Sequence, residues 1–205
     1  MRRQKHTIHE MRRKRRKTET RKGLVVVRCP CKSRTTFSFL RGARTAYIST
    51  RQYQEAASWF RKMIDSGVYV PGSYSWLAQV YAAEGRMDRA VEADLRYRVA
   101  SGANPAAIDA LKNAFAMSGW KGYLRKLLEQ RIGNQGYVEP YVFATIYARL
   151  GEKGQALAWL EKSVRDRSLF MTRLNTDPTF DDLHTEPRFQ ALVRRVGLFN
   201  KPPQS

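Results

Sequence analysis

The chain has 205 residues, 42% of them hydrophobic, and a formal net charge of +20, enough for one or two domains. The charge is uneven: residues 1–45 carry 16 Lys and Arg against Glu10 and Glu19, whereas 46–205 carry 22 basic residues against 16 acidic ones. The global excess therefore describes the N-terminal stretch, and the remainder is only mildly basic.

Residues 1–36 read as a disordered basic arm. Arg12, Arg13, Lys14, Arg15, Arg16 and Lys17 follow one another, and Met1, Ile8 and Met11 are the only sizeable apolar residues before Leu24. Such a segment cannot bury enough surface to offset its ordering entropy. It is either a solvated tail, an unusual start joined to the folded part, or a surface for the phosphates of nucleic acid, held by salt-sensitive charge contacts. Leu24–Val27 is too short for a secretory core, and nothing approaches the ~20 apolar residues of a membrane span. A cytoplasmic protein with no membrane span is expected. Cys29 and Cys31 cannot build a disulfide framework, and with His6 and His9 they do not match zinc-site spacing. No metal or cofactor is expected.

Residues 37–166 repeat. Tyr47, Tyr81 and Phe115 are 34 residues apart, as are Leu77 and Leu111, Gly85 and Gly119, and Ala56 and Ala90. A further 32 residues lead to Phe143, Tyr147, Gly151 and Ala156. A period of this length marks stacked helix pairs, although an ordinary helical bundle is the competing reading. The first repeat keeps Tyr53 and Phe60 but has Ala43 and Arg44 at usually larger or turn-forming positions. In the second, Tyr74, Leu77, Ala78 and Tyr81 share one helical face, Gly85 ends the helix, and Met87–Ala93 begins its partner. Asp94 stands where an apolar contact is expected, so Leu95 is assigned that contact. The third repeat, after Pro105, has Ile108, Leu111, Phe115 and Leu128, with Lys112 and Leu124 where small residues are usual. The fourth has Ala144 and Leu160 around its own aromatic, glycine and alanine.

Residues 167–205 read as a cap. Thr185, Glu186 and Pro187 signal a helix start, Phe189, Leu192, Val193 and Val196 form its stripe, and Gly197 its stop. A stack of helix pairs needs such an element to cover its last apolar face.

The repeats resemble the tetratricopeptide repeat family, with its W-x2-L-G-x2-Y, A-x3-F and P sketch. The ending, through Asp177, Pro178, Phe180, Asp181, Leu183, Pro187–Gln190, Arg194, Arg195, Gly197 and Leu198, resembles the C-terminal arrays of bacterial winged-helix regulators and serine/threonine protein kinases. The resemblance implies an all-α, right-handed helical solenoid of about four helix pairs with a C-terminal capping helix. The chain has no kinase-type His-Arg-Asp or Asp-Phe-Gly triplet and too little length for either partner domain beside the repeats, so DNA binding and phosphoryl transfer are not carried over.

In that family, the position two before the repeat aromatic faces a groove. Here it holds Thr45, Gln79, Asn113 and Thr145, with Trp76 near the same side and Arg149 at the rim. Hydrogen-bonding side chains above small residues such as Ala82, Ala116 and Ala148 suit a bound peptide or protein segment, though polar residues also serve solubility. Catalytic motifs are missing: there is no glycine-rich phosphate loop, Gly-x-Ser-x-Gly or His-Glu-x-x-His, and His184 reads as a helix-start residue. The expected function is a non-enzymatic protein-interaction scaffold. The alternative is a nucleic-acid-associated regulatory protein using the arm.

Overall fold

The computed structural model describes residues 50–67, 69–133 and 136–197, together with 20–21 and 24–25. Contacts divide the chain into two units, Met1–Tyr47 and Ile48–Ser205. In the first unit, β1 (Thr20–Arg21) and β2 (Leu24–Val25) pair antiparallel, with Thr20 opposite Val25 and Arg21 opposite Leu24. The cationic block Arg12–Lys17, the candidate Thr45 and both cysteines lie outside the described residues.

Every element described in the second unit is helical. In chain order they are α1 (Tyr53–Asp65), α2 (Val70–Ala83), α3 (Met87–Ala100), α4 (Pro105–Ile132), α5 (Pro140–Leu150) and α6 (Lys153–Arg165). Two 3₁₀ turns, Leu169–Arg173 and Pro178–Leu183, lead to α7 (Pro187–Arg195). Helices adjacent in sequence pack together, most extensively α2 with α3, α5 with α6, and α1 with α2.

The sequence period is matched by repeated backbone geometry. Between α2 and α3, the Arg86 N–H donates to the Tyr81 carbonyl at 2.9 Å, and the Gly85 N–H to that of Ala82 at 3.2 Å. Between α5 and α6, Glu152 donates to Tyr147 at 2.9 Å and Gly151 to Ala148 at 3.0 Å. The first turn of the following helix also matches, with Ala56, Ala90 and Ala156 donating to Gln52, Arg86 and Glu152 at 3.0–3.1 Å. All three alanines are buried. Their methyl groups let the neighbouring helix come close where a larger side chain would hold it away.

The third repeat reaches the same end differently. Residues 105–132 form one run of helical turns, but Gly119 has φ 59° and ψ −152°, a combination open almost only to glycine. The two halves of α4 fold back on each other: the Gln130 side chain donates Nε2–H to the Ala107 carbonyl at 2.8 Å. In a straight helix those residues would stand about 35 Å apart. The expectation that Leu124 takes the place of a small residue holds by position only. The close approach is made by Gly122, where a Cβ would lie 2.6 Å from the Ala114 carbonyl oxygen and 2.4 Å from Ser118 Cβ. Leu124 is free to fill the core with Leu111, Tyr123 and Ile146.

The tail covers the last pair. Leu174, Phe180, Leu183, Phe189 and Leu192 join Tyr141, Ala144, Ala156 and Leu160 in one buried cluster. Asp177 organises the approach: Oδ1 accepts from the Thr179 N–H at 3.0 Å, capping the second 3₁₀ turn, and Oδ2 accepts from the Tyr141 hydroxyl at 2.9 Å. Glu186 precedes α7, one residue later than the start signal at Thr185. Arg188 reaches Glu161 on α6 at 2.8 Å, and Arg51, before α1, meets Asp181 at 2.8 Å. The tail therefore touches the segment just before α1 as well as the last pair.

Three glycines should respond differently to alanine. Gly122→Ala forces a backbone oxygen aside and should cost about 1–3 kcal/mol. Gly119→Ala should cost about 1–3 kcal/mol through backbone strain. Gly154→Ala, in α6 with open space around it, should stabilise by about 0.5–1 kcal/mol. Denaturant midpoints measure all three, and a neutral Gly122→Ala would mean that the halves of α4 do not meet there. Ser163 gives an independent check: it is fully buried and its hydroxyl has no hydrogen-bond partner among the described residues. Ser163→Ala should raise stability by about 1 kcal/mol, and a loss would reveal a bound partner for the hydroxyl.

Candidate functional site

The predicted site residues fall on three successive repeats. Gln79 lies on α2, half-buried, with its Nε2–H donated to the Ser75 carbonyl at 3.3 Å. Asn113 is exposed on the first half of α4. Thr145, on α5, is half-buried and donates its hydroxyl to the Val142 carbonyl at 2.8 Å. Trp76 departs from the expectation. It is only 8% exposed, with its ring 5.4 Å from Phe60 and 5.5 Å from Tyr69, so its surface is spent on packing α2 against α1.

Arg149, on the last turn of α5, is the most informative of the group. Its accessible surface is intermediate, yet loss of hydration is the largest influence on its guanidinium and lowers its pKa. Asp177, Asp94 and Tyr141 oppose that shift, but among the described residues no hydrogen bond or ion pair is formed with Arg149. A guanidinium carries five N–H donors, and burying it without acceptors is costly.

Beside it lies a polar network that sequence reasoning missed. Asp94 on α3 pairs with Arg98 Nε at 2.6 Å, one helical turn on, and accepts a hydrogen bond from the Tyr123 hydroxyl on α4. Tyr123 is buried, stacked on Trp120 at 5.8 Å and edge-on to Phe115 at 6.3 Å. Burial first, then the Asp94 charge, raises the Tyr123 pKa, so its hydroxyl stays protonated and donating. For Arg98, burial pulls downward most strongly, and the charges and hydrogen bonds of Asp94 and Tyr123 together more than offset it. The sequence signal was present: Asp94 and Arg98 are spaced i, i+4, and Asp94 occupies a position where the repeat wants an apolar side chain. Leu95 does supply a partly buried contact nearby.

Among the described residues no group of three or more His, Cys, Asp or Glu is placed to hold a metal, and no helix is long and apolar enough to cross a membrane. His184 packs its ring 5.0 Å from Phe189. It also borders an opening of about 440 Å³ with Arg51, Asn175, Thr176 and Asp181. Compared with models of known families, with curated proteins and with solved structures, the chain matches none.

Arg149 can be tested by itself. Because burial lowers its pKa, its cost to stability is present at every pH below that folded-state value and eases only in strongly basic solution. Arg149→Met removes the charge while keeping most of the volume. Stability at neutral pH should be unchanged or rise by about 1 kcal/mol, read from thermal midpoints. A clear fall would make Arg149 a structural counterion of Asp94 and Asp177.

Proposed function

We propose that the protein is a non-enzymatic interaction module, a right-handed array of tetratricopeptide-like helix pairs closed by α7. It holds a segment of a protein partner against the side carrying Gln79, Asn113, Thr145 and Arg149. The matching turns around Gly85 and Gly151, and the buried alanines at 56, 90 and 156, support the repeat part of this reading.

The observation that carries the binding part is Arg149. A half-buried guanidinium with no acceptor among the described residues is a poor contributor to folding, but it is well prepared to bind a carboxylate or peptide carbonyls. Asn113, exposed one repeat earlier, adds an amide that can donate to and accept from an extended backbone. Each helix supplies only one or two such groups, so a partner must span several repeats to gain affinity.

The test is affinity capture with the full chain, followed by titration of the recovered protein against variants. Gln79→Ala with Asn113→Ala should weaken binding by about 0.5–1.5 kcal/mol per lost hydrogen bond. Arg149→Met should weaken it by about 1.5–3 kcal/mol, the range for a bond to a charged group, while leaving the thermal midpoint intact. Unchanged affinity in both variants would remove this side of the molecule as the binding surface.

A further inference from the structure

A cavity of about 470 Å³ opens between α1, α2 and α3, away from the residues assigned above. Arg61 on α1 and Arg89 and Arg96 on α3 stand around it, while Tyr74, Leu77 and Tyr81 line it from α2. Tyr81 is only 6% exposed, yet three guanidiniums gather on its ring: Arg86 at 5.2 Å from the centroid, Arg61 and Arg89 at 5.9 Å. Arg61 is further held through its Nε and Nη2, which donate to the Tyr81 hydroxyl at 3.1 and 2.9 Å.

The charges on that ring are not balanced. Arg86 has a carboxylate partner, Glu84, at 3.3 Å, and Arg96 is paired with Glu92 at 2.7 Å. Among the described residues Arg61 and Arg89 form no ion pair. Attraction to the ring face offsets part of the mutual repulsion of these cations. Among the described residues two of Arg61's five N–H groups are used by Tyr81 and none of Arg89's, and both side chains are exposed, so the remaining donors are open to a ligand.

We propose that this cavity binds an acidic segment of a protein, with one Asp or Glu carboxylate shared by Arg61 and Arg89 and a neighbouring apolar side chain over Leu77. The charge count favours a carboxylate over a phosphate. Three arginines face Asp65 and Glu92 around the opening, so one negative charge balances the walls, whereas a dianion would overshoot beside two carboxylates. Leu77, Ile64 and Ala93 give the cavity an apolar strip that a free inorganic anion would leave wet and that a peptide side chain would cover. The Tyr81 hydroxyl fixes Arg61 before binding, so little side-chain freedom is lost there. The site uses α1 and α3, and its test is independent of Asn113 and Arg149.

The experiment uses the full chain and a labelled peptide alternating Glu and Leu, titrated at moderate salt. Arg89 makes no hydrogen bond within the described residues, so Arg89→Gln should fold normally. It should weaken binding by about tenfold, as expected for a lost charge-assisted bond, and Arg61→Gln added to it should abolish specific binding. Lys121→Gln with Arg125→Gln removes two exposed cations from α4 and is the charge control. It should change affinity by less than about threefold, the scale of a screened surface charge. Equal losses in the two double variants would overturn the proposal, because net charge alone would explain binding. Displacement of the peptide by inorganic phosphate as readily as by a peptide competitor would also overturn it, marking a free-anion site. A peptide alternating Glu and Ser that binds as tightly as the Leu version would remove the apolar half of the assignment.

Discussion

Close approach of paired helices is the constraint on which the rest of the fold rests. Two helices can run side by side at short range only where one presents almost no side chain. Ala56, Ala90 and Ala156 meet that need in α1, α3 and α6, and each sits at the same distance from its turn, set by the same backbone bond. Fixing the crossing point fixes which residues on either side face inward. Leu77 and Tyr81 on one helix, and Val91 and Ala93 on its partner, then become core without further instruction. The third repeat shows that the constraint is geometric and not tied to one position. With a one-residue turn at Gly119 in place of a longer one, the crossing shifts by two residues, and glycine appears at 122.

A second consequence follows where one helix pair meets the next. Between α3 and the second half of α4, the join is carried by Asp94, Arg98 and Tyr123. Such a network contributes less net stability than apolar side chains of equal volume, because both charges lose hydration. It does demand one register: the carboxylate must meet the phenol and the guanidinium together, which a slipped packing would leave unsatisfied. The last join uses the same chemistry, with Asp177 accepting from Tyr141 while it caps its own turn. Burial, with the facing carboxylate second, holds both tyrosines above the usual phenol range, so both stay donors across ordinary pH.

Much of this was legible in the chain because it is periodic. Gly85, Ala90, Gly151 and Ala156 announce turns and crossings by their spacing, and Phe189, Leu192 and Val193 announce the capping stripe. What was not legible depends on contacts between repeats. Trp76 sits at a position that a family register points toward a groove, but its size draws it into the space between Phe60 and Tyr69. Asp94 looked like a defect, since its partner Tyr123 is 29 residues away and nothing local couples them. Gly122 was hidden because the period assigns that role to residue 124. The gathering of Arg61, Arg86 and Arg89 on Tyr81 could not be seen at all, because three helices contribute to it.

The arginines divide along a line that bears on function. Arg188 and Arg51 each reach a carboxylate on another element at 2.8 Å, and Arg98 pairs at 2.6 Å within α3 with Asp94, which bonds Tyr123 on α4. Arg61, Arg89 and Arg149 form no ion pair among the described residues, although one is half-buried and two share a ring. Folding alone gives little reason to keep Arg89 and Arg149, whereas Arg61 is also held by the Tyr81 hydroxyl. A methionine at 149 or a glutamine at 89 would relieve desolvation in one case and like-charge repulsion in the other. A cation that the fold leaves without a carboxylate is where binding free energy can be realised, since a ligand can supply the acceptor. On the binding proposed above, the two sets of cations have two roles within one helical framework: one closes the structure, and the other supplies donors for an acidic partner.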